Sequence, residues 1–249
     1  MARLLEICID SLTSARAAIQ GGADRIELCS ALALGGLTPY TALLRQIREE
    51  SNIPIRCLMR PRPGDFLYDR DEIDLMAAQI RELKDSGADG FVIGCLTEFG
   101  DLDDDAMKPL IDAANGTGLT LHRCIDVSCD LMETYLQAEY LGFDTVLTSG
   151  AASSCVDGLD TIRGLLSLRD QRNGPEILIG AGVNPSNIEI LLDTLPNARA
   201  FHSSCKQLVE SKMEFRRKDV PMGLPGLDEW HIQQTDVALV QKMRFALDK

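Results

Sequence analysis

Three times the chain repeats one short pattern: a glycine, one further residue, an aspartate, then a run that reads as buried strand. Gly22-Ala23-Asp24 leads into Arg25-Ile26-Glu27-Leu28-Cys29, Gly87-Ala88-Asp89 into Gly90-Phe91-Val92-Ile93-Gly94, and Gly142-Phe143-Asp144 into Thr145-Val146-Leu147-Thr148-Ser149. Each reads as the end of an amphipathic helix, a glycine in the left-handed cap, and a short strand. The remaining apolar runs raise the predicted strands to eight, over 4–10, 25–30, 54–60, 90–96, 119–126, 145–150, 176–182 and 200–205. Their starts lie roughly 20 to 36 residues apart, which accommodates a strand, a helix and two loops. Helices are clearest over 11–19 and 71–84, with Ser11 and Asp71 as expected N-caps. The last helix is expected within 227–248, after a loop around Pro221 and Pro225. Eight such units in 249 residues predict an α/β fold, a (β/α)₈ barrel forming a single domain over 1–249. A doubly wound sheet would want a glycine fingerprint after the first strand, and Ile9-Asp10-Ser11-Leu12-Thr13-Ser14 has none.

The formal net charge is -13, from 38 acidic and 25 basic residues. Such a surface repels phosphate backbones and anionic lipid, which argues against nucleic acid and membrane surfaces as partners. No apolar run approaches the roughly 18 residues of a membrane span. Met1-Ala2-Arg3-Leu4-Leu5-Glu6 meets charge too early for a secretory signal. A cytoplasmic, reducing location is therefore expected, with the eight cysteines as free thiols. No C-x-x-C pair is present, which argues against structural zinc.

Barrel strands are covered on both faces and should be almost wholly apolar. Several here are not. The first carries Glu6 and Cys8, the second Glu27 and Cys29. Alternation sends Leu5, Ile7, Ile9, Ile26 and Leu28 towards the helices and the polar set into the barrel, with a carboxylate and a thiol at matching heights on the two strands. The fifth strand adds Thr120, His122, Cys124 and Asp126 on one face, the third ends in Arg60, and the eighth carries His202 and Ser204. A buried carboxylate must be paired, protonated or bound to something, and Arg60 is the expected counter-charge for Glu6 or Glu27. These groups form either a structural ion-pair layer or a site at the barrel mouth.

The strand ends add candidates for anion binding. Gly180 and Gly182 open a loop running to Asn187, where backbone N–H groups meet a helix entrance. Ser203 and Ser204 end the eighth strand and Ser149 the sixth. Arg60 and Arg62 flank Pro61, and a fixed guanidinium suits carboxylate or phosphate. Arg62 can equally point outward to Asp65 or Asp69. Cys57 and Cys95 read as packing residues. Cys8 and Cys29, on adjacent strands, suit either packing or Cu(I), which favours soft thiolates.

Leu5-Glu6-Ile7-Cys8, the 22–29 segment, Gly35-Gly36-Leu37-Thr38-Pro39 and the loop from Arg60 through Phe66 to Tyr68 together resemble the CutC family. Leu121-His122-Arg123, Asp126, Leu147-Thr148-Ser149-Gly150, Gly180-Ala181-Gly182-Val183 and Phe201-His202-Ser203-Ser204 continue the resemblance, which spans 4–205. It implies a cytoplasmic TIM barrel of copper homeostasis, binding copper as Cu(I) and assembling as a homo-oligomer, with no reaction attached. In the family copper is linked to cysteines, and Cys8 and Cys29 stand at the matching strand positions. Two departures are visible. Pro63 stands where the family has Gly, and Cys124-Ile125 replaces Ala-Phe. The residues themselves also fit an enzyme acting on a small phosphorylated or carboxylated substrate. There Glu6 or Glu27 would be the acid or base, Arg60 would hold the anion, and His122 and His202 would complete the candidate catalytic set.

Overall fold

Eight parallel strands close on themselves in sequence order, β1-β2-β3-β4-β5-β6-β7-β8. This computed structural model describes residues 3–217, 219–220, 223 and 228–249, so the expected loop around Pro221 and Pro225 lies outside the described residues. The strands are β1 Leu4–Ile9, β2 Arg25–Leu28, β3 Ile55–Leu58, β4 Gly90–Ile93, β5 Gly118–Leu121, β6 Thr145–Thr148, β7 Glu176–Ile179 and β8 Ala200–Ser203. The helices are α1 Leu12–Gly21, α2 Thr41–Glu50, α3 Arg70–Asp85, α4 Asp104–Ala114, α5 Leu131–Tyr140, α6 Leu159–Arg172, α7 Ile188–Thr194 and α8 Val237–Leu247. The fold is the (β/α)₈ barrel read from the repeat.

The repeated aspartate has a structural job. Asp24, Asp89 and Asp144 each donate a backbone N–H to the preceding strand, at Leu5, Ile55 and Leu119. Each side chain then accepts the N–H of that same residue, at 2.7, 2.8 and 3.0 Å. An arginine clamps each carboxylate in turn: Arg244 on Asp24, Arg48 on Asp89 and Arg56 on Asp144. Neighbouring strands are thus stitched at the bottom of the barrel, where the first strand amides would otherwise lack partners. Gly22, Gly87 and Gly142 precede them with φ of +92°, +99° and +83°, the left-handed turn that a glycine adopts most readily.

Leu5, Ile7, Ile9, Ile26 and Leu28 are fully buried in the main core between barrel and helices, so the other strand face looks inward as the alternation required. The register differs from expectation. Glu6 pairs with Arg25 and Cys8 with Glu27, because tilted barrel strands are staggered. The thiols of Cys8 and Cys29 therefore lie at different heights.

Several boundaries also move. Ser11 caps α1 through the Ser14 N–H, but α3 is capped by Asp69, in a reciprocal capping box with Glu72, and not by Asp71. β5 stops at Leu121, and residues 123–127 form a 3₁₀ helix, so His122, Cys124 and Asp126 do not continue a strand face. Cys124 packs in the outer core. The expected last helix begins only at Val237; ahead of it β10 (His231–Thr235) pairs antiparallel with β9 (Lys206–Glu210).

The β6–α6 connection folds back on itself. A Cβ added at Gly158 would sit 1.9 Å from the Ser149 carbonyl oxygen, a backbone atom that cannot turn aside. Gly158→Ala is expected to cost about 1–3 kcal/mol, the usual range for overpacking. Urea denaturation of the variant beside the parent checks this, and a midpoint shift within error would contradict the close approach.

Candidate functional site

The upper barrel interior is polar on the side of β1, β2 and β8. Glu6 is fully buried beneath the site, between Arg25 Nε at 2.5 Å and His202 Nδ1 at 2.8 Å. Burial opposes its charge, but Arg25 and His202 outweigh it and hold the carboxyl down at about 2. The expected partner Arg60 takes no part in this pair. Arg25 does, and it lies two positions before Glu27 on the same strand face, so the alternation already contained that signal.

His202 turns its other nitrogen, Nε2, towards Glu27 Oε2 at 3.8 Å. Burial pushes the Glu27 carboxyl up, with Glu6 adding to the effect and His202 opposing it. Burial likewise works against an imidazolium at His202, yet Cys8, Glu27 and Glu6 around the ring overcome it and hold the histidine well above its usual range. Donor atoms of Cys8, Glu27 and His202 all lie within 4.8 Å of one another, a spacing that one metal ion can bridge. Cys29 lies beyond this group. Its thiol donates to Glu27 Oε2 at 3.4 Å, and burial beside that carboxylate pushes it well up, which disfavours a thiolate there.

Above the three donors opens a cavity of about 500 Å³, whose wall includes Cys8, Glu27, Arg60, Phe66, His122 and His202. The opposite wall is built from β3, β5 and their loops. Arg60 donates to the carbonyls of Leu34, Gly36 and Gly64 and lies over the Phe66 ring at 5.4 Å. The His122 ring packs at a tilt against Phe66, with ring centroids 4.7 Å apart. Its Nδ1 accepts the Cys124 N–H at 3.1 Å, while its buried Nε2 has no partner among the described residues. Burial first, and then the Arg60 charge, depress this histidine to about 3.

Several amides of the loop after β7 are spent inside the protein. The Gly180 N–H is spent on the Thr148 carbonyl. Asn187 Oδ1 accepts the Asn184 N–H, and Asn184 Oδ1 accepts the Ser186 N–H, since asparagine side chains compete well for nearby amides. Ser203 donates to the Val183 carbonyl at 2.6 Å, and Ser149 lies between Asp126 and the Ala152 carbonyl. Gly182 and Ser204 line the cavity. Asp126 collects the Ser149 and Ala151 N–H groups and the Thr148 hydroxyl, anchoring the β6 loop. Arg62 points outward, paired with Glu72 and Asp65. Arg123, overlooked as a site residue, lines the cavity but is held by Asp126 and Ser149.

Residues 3–207 match the family model described as the CutC family. The chain is 39% identical over 242 residues to the human protein named copper homeostasis protein cutC homolog, covering 96% of this chain and 87% of the human one. It is 38% identical over 242 residues to a family protein CutC of Aliivibrio fischeri, covering 96% and 97%. The crystal structure of a CutC protein from Streptococcus agalactiae superposes with a TM-score of 0.76 at 27% identity, covering 81% of this chain and 98% of that one. Phosphoribosylanthranilate isomerase from Pyrococcus furiosus, at 16% identity and a TM-score of 0.57, shares the fold alone.

Proposed function

Because the chain belongs to the CutC family, we propose that it serves copper homeostasis by holding a copper ion at the mouth of its barrel. The observation that carries this reading is the convergence of Cys8, Glu27 and His202 within 4.8 Å. A thiolate and an imidazole are donors that copper accepts, and the carboxylate supplies a third, harder one. Glu6 strengthens the case. A histidine that binds metal through one ring nitrogen commonly gives its other N–H to a carboxylate, which fixes the ring. Glu6 and Nδ1 of His202 make that contact and leave Nε2 for the ion. Copper is cargo in this reading, taken up and surrendered through the cavity above the three donors.

Of the two cysteines first considered, Cys8 is the ligand in this reading, and Cys29 supports Glu27 by its thiol hydrogen bond. The eight free thiols, all buried but Cys129, suit a reducing compartment such as the cytoplasm, where copper circulates as Cu(I). Among the described residues no helix is long and apolar enough to cross a membrane. The family resemblance also supports a homo-oligomer, which light scattering would test.

Competition against a Cu(I) chelator under reducing conditions tests the reading. Cys8→Ser should weaken binding about a hundredfold or more, the scale of losing one thiolate ligand. Cys29→Ser, whose hydroxyl can still donate to Glu27, should change affinity less than about threefold. Parent affinity in the Cys8→Ser variant would remove this site. A large loss in Cys29→Ser alone would shift the ligand set to the neighbouring layer.

A further inference from the structure

A metal ion held by Cys8, Glu27 and His202 would occupy little of the 500 Å³ cavity above it. That volume is in the range of small-molecule pockets, which are mostly apolar with a few convergent polar groups. Here the apolar part comes from Leu32, Leu34, Leu58, Phe66 and Leu147. The convergent groups lie on the wall opposite the metal donors.

Two of them are unmatched. His122 is buried, and its Nε2 has no partner among the described residues. Since Nδ1 accepts a hydrogen bond from the Cys124 N–H, a neutral ring must carry its proton on Nε2. His122, a residue of the cavity wall, is thus a fixed N–H donor whose Nε2 is buried, and leaving such a donor unmatched costs free energy that a ligand would recover. Arg60 is the second. Its terminal nitrogens meet only carbonyls, its Nε is buried without a partner, and no carboxylate among the described residues pairs with it. The other arginines that reach the upper barrel, Arg25 and Arg123, are neutralised by Glu6 and Asp126. Arg60 therefore stands as an uncompensated positive charge beside a preset N–H donor, with Phe66 fixing the position of both.

The geometry points to a second ligand in this cavity: a small organic anion whose carboxylate or phosphate oxygens take the Nε2–H of His122 and the charge of Arg60, with its carbon skeleton against the apolar wall. This site is separate from the copper reading, because neither Arg60 nor His122 is a metal donor. It also places the anion on the β3 and β5 side, away from the loop after β7.

The test uses the whole 249-residue chain stripped of metal with a chelator, so its outcome does not depend on copper binding. The chain has three histidines, and their ring signals in ¹⁵N-labelled protein can be assigned by substitution. Inorganic phosphate and oxalate serve as separate probes, followed by His122 ring shifts and by calorimetry. The expected result is a saturable shift of the His122 Nε2–H at millimolar concentration of at least one probe. Phosphate alone would indicate a phosphorylated ligand, and oxalate alone a carboxylate. Arg60→Met and His122→Asn should each weaken the binding about tenfold or more, the scale of a charge-assisted hydrogen bond. Arg60 also holds three loop carbonyls, so His122→Asn carries the test if Arg60→Met fails to fold; asparagine can still accept the Cys124 N–H. No shift with either probe, or binding that His122→Asn leaves unchanged, overturns the proposal.

Discussion

Arg25→Met is expected to destabilise the protein by about 3–5 kcal/mol, the cost of leaving a buried carboxylate without its ionic partner. The Glu6 side chain is 1% exposed and that of Arg25 10%, so water cannot replace the lost guanidinium. Among the described residues His202 would remain as the cationic partner of Glu6, through its contact at 2.8 Å. The cost belongs to breaking the pair and not to having it, since matched apolar replacements of buried ion pairs are often neutral. The double variant Glu6→Gln, Arg25→Met should therefore recover much of the loss, because glutamine keeps an oxygen for the His202 Nδ1–H. Urea unfolding of both variants checks this. A single variant within about 1 kcal/mol of the parent would mean that the pair lies in better contact with solvent than its burial indicates.

Acid should unfold the protein earlier than carboxylates alone would cause, with His122 responsible. Its pKa is 6.5 in an unfolded chain and about 3 in the fold, so between those values the unfolded state binds the extra proton. Stability from this group is complete above pH 6.5 and falls with pH through that window. Between pH 6.5 and about pH 4 the loss amounts to about 3 kcal/mol. Glu6, lowered from 4.5 to about 2, acts in the same direction but only below pH 4.5. The signature is thus a slope that begins near neutrality. His122→Asn removes the titrating ring and should flatten that slope above pH 4.5 while retaining the steeper fall below it. Chemical denaturation at several pH values provides the measurement, and an unchanged slope in His122→Asn would assign the effect elsewhere. The same experiment reports on the anion cavity, since a His122 that titrates normally would not be locked as the Nε2–H donor.

The repeated Gly-x-Asp pattern was legible because it is local. A left-handed glycine and an aspartate that clasps the preceding strand need only their sequence neighbours and one strand amide, so eight strands and a closed barrel could be read from the chain. Side-chain alternation was equally local, and it assigned Glu6, Cys8, Glu27 and His202 to the inside without knowledge of any contact. Which of them meet depended on the stagger between strands, a property of barrel closure that no single strand encodes. The stagger set Arg25 opposite Glu6 and Glu27 opposite Cys8, removed Arg60 from the pair and left Cys29 a layer away. Closure also brought β8 beside β1, so that His202 meets Glu6 across 196 residues of chain. The hydrogen-bond partners of the loops were decided last. The sequence supplied glycines and serines suited to an anion after β7, and folding committed the Asn184 and Ser186 amides of that loop to the side chains of Asn187 and Asn184. Among the described residues, His122 Nε2 and Arg60 Nε are left without a partner, and Arg60 without a carboxylate, beside the Phe66 ring that both residues pack against.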